Sequence, residues 1–468
     1  MASTGMKKGL ALIFIANLIN RIIGLVNGFI VPKFLSIESY AAIKTFTLYS
    51  TYAGVFHLGY LDGMYLKYGG AQMESISPQE YGKDFWNITL MQVIVSVITL
   101  VVGRCFNNFI VSAFGVSLFF RNVTSCYQMF FQATGEFKLY SSALNYGSIG
   151  NFLLCMLLVF VYKTDNPHLY ISAQVFSQIV VCIYLGVLLN RKIGYFKYKV
   201  IDWSGFKDNI SSGFVLMIGN FSNNLFSSID RWIVKIFMAT TSFAIYSFAV
   251  SIDTLITVFI TPIYVTLYNS FCIDHTARKV KQIKNIVLIW GFIIITLAFP
   301  TKWVIESYLY KYVDSMPLIF ILFSTQVFYA VIKGVYVNYF KSVKKQKKYF
   351  WQMIAMLGVA ISLGLIAYFV FRSLFAIAIS ALITAIVWLG VNEVGYSAFR
   401  FSIKEWGYII LLICIFIFSG ISLPTHIGLC TYLVSLLVLS TLLMKNEVLL
   451  LFTYFKEFLN KTIKPIKG

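Results

Sequence analysis

Long apolar runs divided by short basic loops constrain this chain more than any other feature, because no soluble core could hold them all. A helix that crosses a bilayer needs roughly 20 predominantly apolar residues, and about fourteen segments approach that length. They lie near 9–31, 41–66, 85–102, 108–132, 142–162, 168–189, 213–237, 241–267, 285–300, 316–340, 351–371, 373–395, 405–422 and 426–443. Backbone polar groups in hydrocarbon must be satisfied within the segment, so such runs read as helices. The expected fold class is all-α, a polytopic membrane protein. Composition agrees: only 12% of residues are charged, against about 25% in soluble domains.

The formal net charge of +20 could suggest a nucleic-acid partner, but the positions of the charges argue against one. With the N-terminus inside, the cytoplasmic loops hold Lys7, Lys8, Lys67, Lys83, Lys138, Arg191, Lys192, Lys197, Lys199 and Lys207. Arg278, Lys279, Lys281, Lys284, Lys341, Lys344, Lys345, Lys347, Lys348, Arg400, Lys404 and the tail lysines follow. The outer connections hold only Lys33, Arg104, Lys163, Lys302, Lys311 and Arg372. This is the positive-inside pattern, with both termini cytoplasmic. Much of the charge therefore encodes topology and attraction to anionic membrane lipids. The seven cysteines are scattered without metal or disulfide spacing, and no metal or cofactor is expected. The first apolar run is too long for a signal peptide and lacks a cleavage site, so it reads as a retained span.

Span one, Gly9–Val31, carries a polar stripe. Asn17, Asn20, Arg21, Gly24, Asn27 and Gly28 recur at the three- and four-residue spacing of one helical face. Arg21 falls near mid-depth, where an ionisable group costs about 2.5–3.5 kcal/mol on the insertion scale. Such a stripe lines a cavity or forms a packing face with Gly for close approach and Asn for interhelical bonds. Sliding the second half back by 203 positions (220 − 17) sets Asn220 on Asn17, Asn223 on Asn20, Asn224 on Arg21 and Asp230 on Asn27. The expected organisation is a six-helix lobe (1–190), a basic cytoplasmic linker (191–212) and a second six-helix lobe (213–395). Two further helices (396–443) and a basic tail (444–468), readable as an interfacial helix, complete it. The lobes would be parallel repeats about an axis along the membrane normal, an arrangement transporters use for alternating access.

Span four adds a third stripe, Ser117, Arg121, Ser125, Gln128 and Gln132, and span seven continues with Ser227 and Arg231. Lys333 lies in the inner half of span ten, while Lys44, Lys67 and Lys235 are near enough to span ends to snorkel. Carboxylates at depth are fewer. Asp253 sits mid-span in span eight, Asp230 precedes Arg231 on another face, and Asp62 and Glu393 lie toward inner ends. Asp253 either pairs with a cavity arginine or, with Asp230 and Asp62, serves as a site for H+ or Na+. The surplus of deep guanidinium suits an anion, since the planar fork of Arg matches phosphate bidentately. Asn, Gln and Ser around it suit sugar hydroxyls. No Walker A, GxSxG or HExxH motif is present, no soluble domain could house catalytic groups, and the four histidines are isolated; the chain does not read as an enzyme.

Asn20-Arg21-Ile22-Ile23-Gly24 with Ile30-Val31-Pro32, the Ile229-Asp230-Arg231 triplet, and Gln132-Ala133-Thr134-Gly135-Glu136-Phe137-Lys138 resemble stretches of a known family. So do Ser242–Ala249 and Pro262. This family is the polysaccharide transporter branch of the multidrug/oligosaccharidyl-lipid/polysaccharide superfamily, the O-antigen and capsule flippases. The resemblance implies a two-lobed antiporter of the bacterial inner membrane. It would flip undecaprenyl-pyrophosphate-linked oligosaccharide from the cytoplasmic to the outer leaflet, for polysaccharide or lipopolysaccharide synthesis, driven by an H+ or Na+ gradient. It also implies cavity cations for the pyrophosphate, in agreement with the reading of Arg21, Arg121 and Arg231; Lys333, Asn17, Asn20, Asn27, Asn220, Asn224 and Gln128 are the further substrate-binding candidates read from the residues themselves. Polysaccharide polymerase and chain-length proteins would be its partners. Few basic residues on the inner half of span two, where Asp62 sits instead, depart from the lipid II flippase pattern. A cation exporter of the multidrug and toxin extrusion type shares the architecture and is the alternative.

Overall fold

The computed structural model describes the backbone of residues 2–451 and 453, and the side chains of 15–261, 267, 268, 270–451 and 453. The described residues form helices and turns with no strand. Among the described residues, twelve helices are long and apolar enough to cross a membrane. The chain divides into two compact units, Met1–Ser227 and Ser228–Gly468.

The first unit contains α1 (Ala2–Phe34), α2 (Ile37–Ser50), α3 (Tyr60–Tyr68), α4 (Pro78–Cys105) and α5 (Phe109–Ala133). It continues with α6 (Phe137–Leu157), α7 (Pro167–Ile193) and α8 (Trp203–Phe226). Polar side chains start several of these helices by accepting an orphan N–H of the first turn: Ser36 from Ser39, Asn108 from Val111, Asn166 from His168, and Asp202 from Gly205. α4 packs on α5, α5 on α7, α1 along α6, and α3 against α8.

The 41–66 segment is not one continuous span. It breaks between α2 and α3, where Leu58 (φ 49°) and Gly59 (φ 83°) are both left-handed. Irregular backbone at membrane depth survives only where protein satisfies its polar groups. Two buried amides do this: Asn122 Nδ2 donates to Ala53 O (3.1 Å), and Gln92 Nε2 donates to Phe56 O (3.0 Å). Asn122 Nδ2 also donates to Gln92 Oε1 at 2.7 Å, which locks the two together.

Asp84, 2% exposed, ties three helices. Its Oδ2 accepts from Lys67 Nζ (2.7 Å) and Tyr68 OH (2.6 Å), and its Oδ1 accepts from Asn209 Nδ2 (3.1 Å). Lys67, expected to snorkel, is instead held by Asp84 and by Glu80 at 3.0 Å. The α3–α8 contact is so close that a Cβ added to Gly213 would stand 2.0 Å from Gly59 O, and one on Gly63 would stand 1.9 Å from Asn209 O. The basic stretch 191–212 comprises the end of α7, a turn at Tyr195–Lys197 and the first turns of α8. Burial pushes the Tyr195 phenol above its ordinary value, and it stays a donor to Tyr127 OH at 3.2 Å.

The 213–237 segment is also broken, at Ser227–Ser228. Its first part belongs to α8, and its second is α9 (Ile229–Phe237), which opens the second unit. There follow α10 (Thr240–Ile273), α11 (Ala277–Ile294), α12 (Ala298–Tyr308), α13 (Met316–Val331) and α14 (Val337–Ser342). α15 (Gln346–Phe371), α16 (Leu374–Gly395), α17 (Ile403–Ser422) and α18 (Thr425–Leu443) complete the unit. α11 and α12 join into one span, as do α13 and α14. A left-handed Arg372 (φ 46°) separates α15 from α16.

α13 is the centre of this unit and packs on α10, α11, α16 and α17. Lys284, counted by its sequence position with the loop lysines, is fully buried on α11. It pairs with Glu393 at 2.7 Å, and its Nζ lies 3.6 Å from the Phe401 ring centroid. Glu393 also accepts from Tyr336 OH and from the Phe401 backbone N–H. Lys302, expected in an outer connection, lies buried on α12 and donates to Gly420 O (2.8 Å) and Leu423 O (2.7 Å) at the end of α17. Of the tail, residues 452 and 454–468 lie outside the described residues, and with them the expected interfacial helix.

Candidate functional site

The first unit holds a partly open polar cavity of about 280 Å³ between α5, α6 and α7. Arg121 is the central residue of the 25-residue α5, so it reaches the cavity at mid-span. Each wall presents one helical face at three- and four-residue spacing. From α5 come Arg121, Thr124, Ser125 and Gln128; from α6, Gly147, Ser148 and Asn151; from α7, Gln174 and Gln178. Ser117, one turn along α5 from Arg121, donates to Gln178 Oε1 at 2.7 Å, and Gln128 Nε2 donates to Ala143 O at 3.4 Å. Gln132, the last member of the stripe, is exposed. Among the described residues Arg121 has no carboxylate within ion-pair distance. One guanidinium among amides and hydroxyls, with no acid in the lining, offers an anion a charge partner and sugar hydroxyls both donors and acceptors.

Sequence reasoning found Arg121, Ser125 and Gln128 but passed over Asn151, Gln174 and Gln178. The signal was present. Polar residues three or four apart inside the apolar runs of α6 and α7 repeat the pattern that singled out α5.

The stripe of α1 does not join this cavity. Asn17, Arg21 and Gly24 are exposed, whereas Asn20 and Asn27 are half-buried with Oδ1 atoms that find no partner among the described residues. No described atom lies within 4 Å of a Cβ built on Gly24 or Gly28, so these glycines do not serve close helix packing. On α8, Asn220 donates to Asp62 Oδ1 of α3 at 3.3 Å, and Asp62 is buried. Asn224 is half-buried on the same helix.

The second unit gathers Asp230, Arg231, Asp253 and Lys333 into one cluster. Asp230 accepts from its neighbour's backbone, Arg231 N (2.8 Å), and from Tyr246 OH (2.8 Å). Asp253, 8% exposed, accepts from Gln326 Nε2 at 2.7 Å, and its other oxygen is buried without a partner among the described residues. Asp230 and Lys333 are its charged neighbours. Lys333 lies in a π-helical turn, Ile332–Tyr336, with Nζ 5.3 Å from the Tyr329 ring centroid. Such turns widen a helix locally and recur where side chains must be re-aimed at functional sites. Among the described residues Asp253 forms no ion pair with an arginine, and Arg231 Nε is buried without a partner. The polar cavity of the first unit thus holds a cation without an acid, and the cluster of the second brings both signs together around buried Asp253.

Residues 6–268, more than half of the chain, match the sequence model of a family described as "Polysaccharide biosynthesis protein". No curated protein matches. Among solved structures the chain is similar to the lipid II flippase MurJ in an inward closed conformation. The TM-score is 0.59 at 16% identity, covering 94% of this chain and 100% of that one. It is also similar to an inward-facing multidrug resistance MATE family transporter of the MOP superfamily. There the TM-score is 0.60 at 13% identity, over 81% of this chain and 95% of that one. At these identities the likeness is one of fold.

Proposed function

The chain belongs to the polysaccharide biosynthesis protein family, and from that premise we propose that it flips a lipid-linked oligosaccharide across the bacterial inner membrane. The cargo would be an undecaprenyl-pyrophosphate-linked repeat unit of O-antigen or capsule type, carried from the cytoplasmic to the outer leaflet by alternating access. The single observation that carries this reading is Arg121, at the middle of a membrane-spanning helix in a cavity lined by amides and hydroxyls. Its volume is near the lower limit of about 300 Å³ for small-molecule sites. It therefore suits a phosphate or one sugar ring rather than a whole repeat unit. Arg21, Arg231 and Lys333 would supply further cationic contacts. Asn17, Asn20, Asn27, Asn220, Asn224 and Gln128 would read sugar hydroxyls. Asp253, with one oxygen left open, is the proposed site of the coupling H+ or Na+, with Asp230 and Asp62 as further candidates.

Arg121→Ala tests the assignment. Losing a hydrogen bond to a charged group costs about 1.5–3 kcal/mol, roughly a tenfold to hundredfold loss of affinity. Surface polysaccharide should fall while the protein remains inserted and lipid-linked repeat units accumulate on the inner leaflet. Arg121→Lys, a point charge without the fork, should restore only part. Normal polymer from the alanine variant would overturn the site. The buried carboxylates of the second unit favour cation export as a second reading. On that reading, deletion would lower drug resistance and leave polysaccharide intact.

A further inference from the structure

Beside the polar cavity, α6 and α7 form a second depression of about 590 Å³, lined by Tyr146, Leu153, Leu154, Phe176, Val180 and Tyr184 among others. Its lining is almost wholly apolar, and its residues lie midway along both spans. Leu153, Phe176 and Val180 are 60%, 56% and 49% exposed, so the groove opens outward from the helix pair. It runs from the edge-to-face pair Tyr146–Tyr184, 5.2 Å between centroids, to Leu153 and Phe176. The seven helical rises between Tyr146 and Leu153 give it roughly 10 Å of length.

Groove and cavity are two sides of one seam. Gly147 and Val181 line the cavity, Gly150 and Ser177 line the groove, and Val181 belongs to both. The helices meet closely there. Ser177 Oγ donates to Gly147 O at 2.9 Å, and a Cβ on Gly150 would stand 2.9 Å from Ser177 Oγ.

We propose that this groove seats the polyisoprenoid chain of the substrate whose phosphate-bearing head occupies the Arg121 cavity; the inference rests on the headgroup reading of that cavity. An amphiphile held by its anionic head at mid-span has the first units of its chain at mid-span too. The apolar surface adjoining the cavity across the α6–α7 seam is this groove. A phospholipid keeps its phosphate at the interface and can offer the groove only a stretch of acyl chain. Depth of the head therefore distinguishes the two occupants.

The test uses the full chain in vesicles of phosphatidylethanolamine and phosphatidylglycerol. A photo-crosslinking amino acid replaces Val180 or Leu153 in the groove or, as a control, exposed Ile98 on α4, and radiolabelled long-chain polyisoprenyl pyrophosphate is added. Labelling should be several-fold stronger at Val180 and Leu153 than at Ile98. Unlabelled polyisoprenyl pyrophosphate should compete it away, and extra phosphatidylglycerol should not. Labelling equal to that at Ile98, or displaced equally by phosphatidylglycerol, would mean ordinary membrane lipid and overturn the proposal. Groove labelling unchanged in Arg121→Ala would overturn the link between head and chain. The two readings fail separately: lost polymer in Arg121→Ala with no groove labelling removes the groove alone. Normal polymer in Arg121→Ala removes the headgroup reading itself.

Discussion

At the scale of single residues, glycine placement shows how little a motif says about its partner. Gly24 and Gly28 stand out in the sequence because they share a stripe with Arg21, yet nothing described approaches a Cβ built on either. Gly213 and Gly63 drew no notice, and there two backbones nearly touch. A packing glycine is defined by what lies opposite, and Gly59 is more than a hundred and fifty positions away from Gly213 in the chain (213 − 59). α8 supplies a matched pair for a test. Gly213→Ala would drive a methyl against the Gly59 carbonyl, which no rotamer change can relieve, and should destabilise by about 1–3 kcal/mol. Gly219→Ala, with nothing within 4 Å, should gain up to about 1 kcal/mol from helix propensity. Thermal unfolding of the two purified variants checks this; equal midpoints would refute the close α3–α8 contact. Arg121, in contrast, was legible. A charge at the centre of an apolar run admits few explanations, and three of the five residues in its stripe line the cavity.

At the scale of elements, the apolar runs mark twelve continuous spans well and hide the two interruptions. Hydropathy sums over a window, and the break before α3 contains no Asp, Glu, Lys or Arg, with His57 alone among otherwise uncharged residues beside Leu58-Gly59. What permits it is the pair Gln92 and Asn122, on two other helices. The same limit hides Lys284. It sits among Arg278, Lys279 and Lys281 and reads as one more cytoplasmic cation, but the helix turns it inward to Glu393 of α16. Breaking a buried pair by removing one member leaves an uncompensated charge, at a cost of about 3–5 kcal/mol. Lys284→Met should therefore lower the unfolding midpoint sharply. Lys284→Met with Glu393→Gln should recover much of the loss, because Gln removes the stranded charge and keeps an acceptor for Tyr336. A double variant no better than the single one would refute the ion-pair account.

At the scale of the whole molecule, a net charge of +20 conceals an uneven interior. The polar cavity of the first unit holds Arg121 without an acid, while the second unit buries Asp253 and sets half-buried Asp230, Arg231 and Lys333 near it. If Asp253 carries the coupling ion, Asp253→Asn should keep the fold and the binding of lipid-linked substrate but lose the response to an imposed gradient. In vesicles loaded with substrate, collapsing the H+ or Na+ gradient should slow flipping by the native chain and leave the variant unchanged. A variant driven as well as the native chain would remove Asp253 from the mechanism. The first unit also closes on α8 rather than α7, which bears on its birth at the ribosome. Asp84 is synthesised long before Asn209, its partner 125 residues downstream, has been made. Lys67 and Tyr68, 17 and 16 residues upstream, are already present and can hold that carboxylate through the interval. The local bonds keep the carboxylate paired while the unit is half built, and the distant one joins α8 to it when translation delivers that helix.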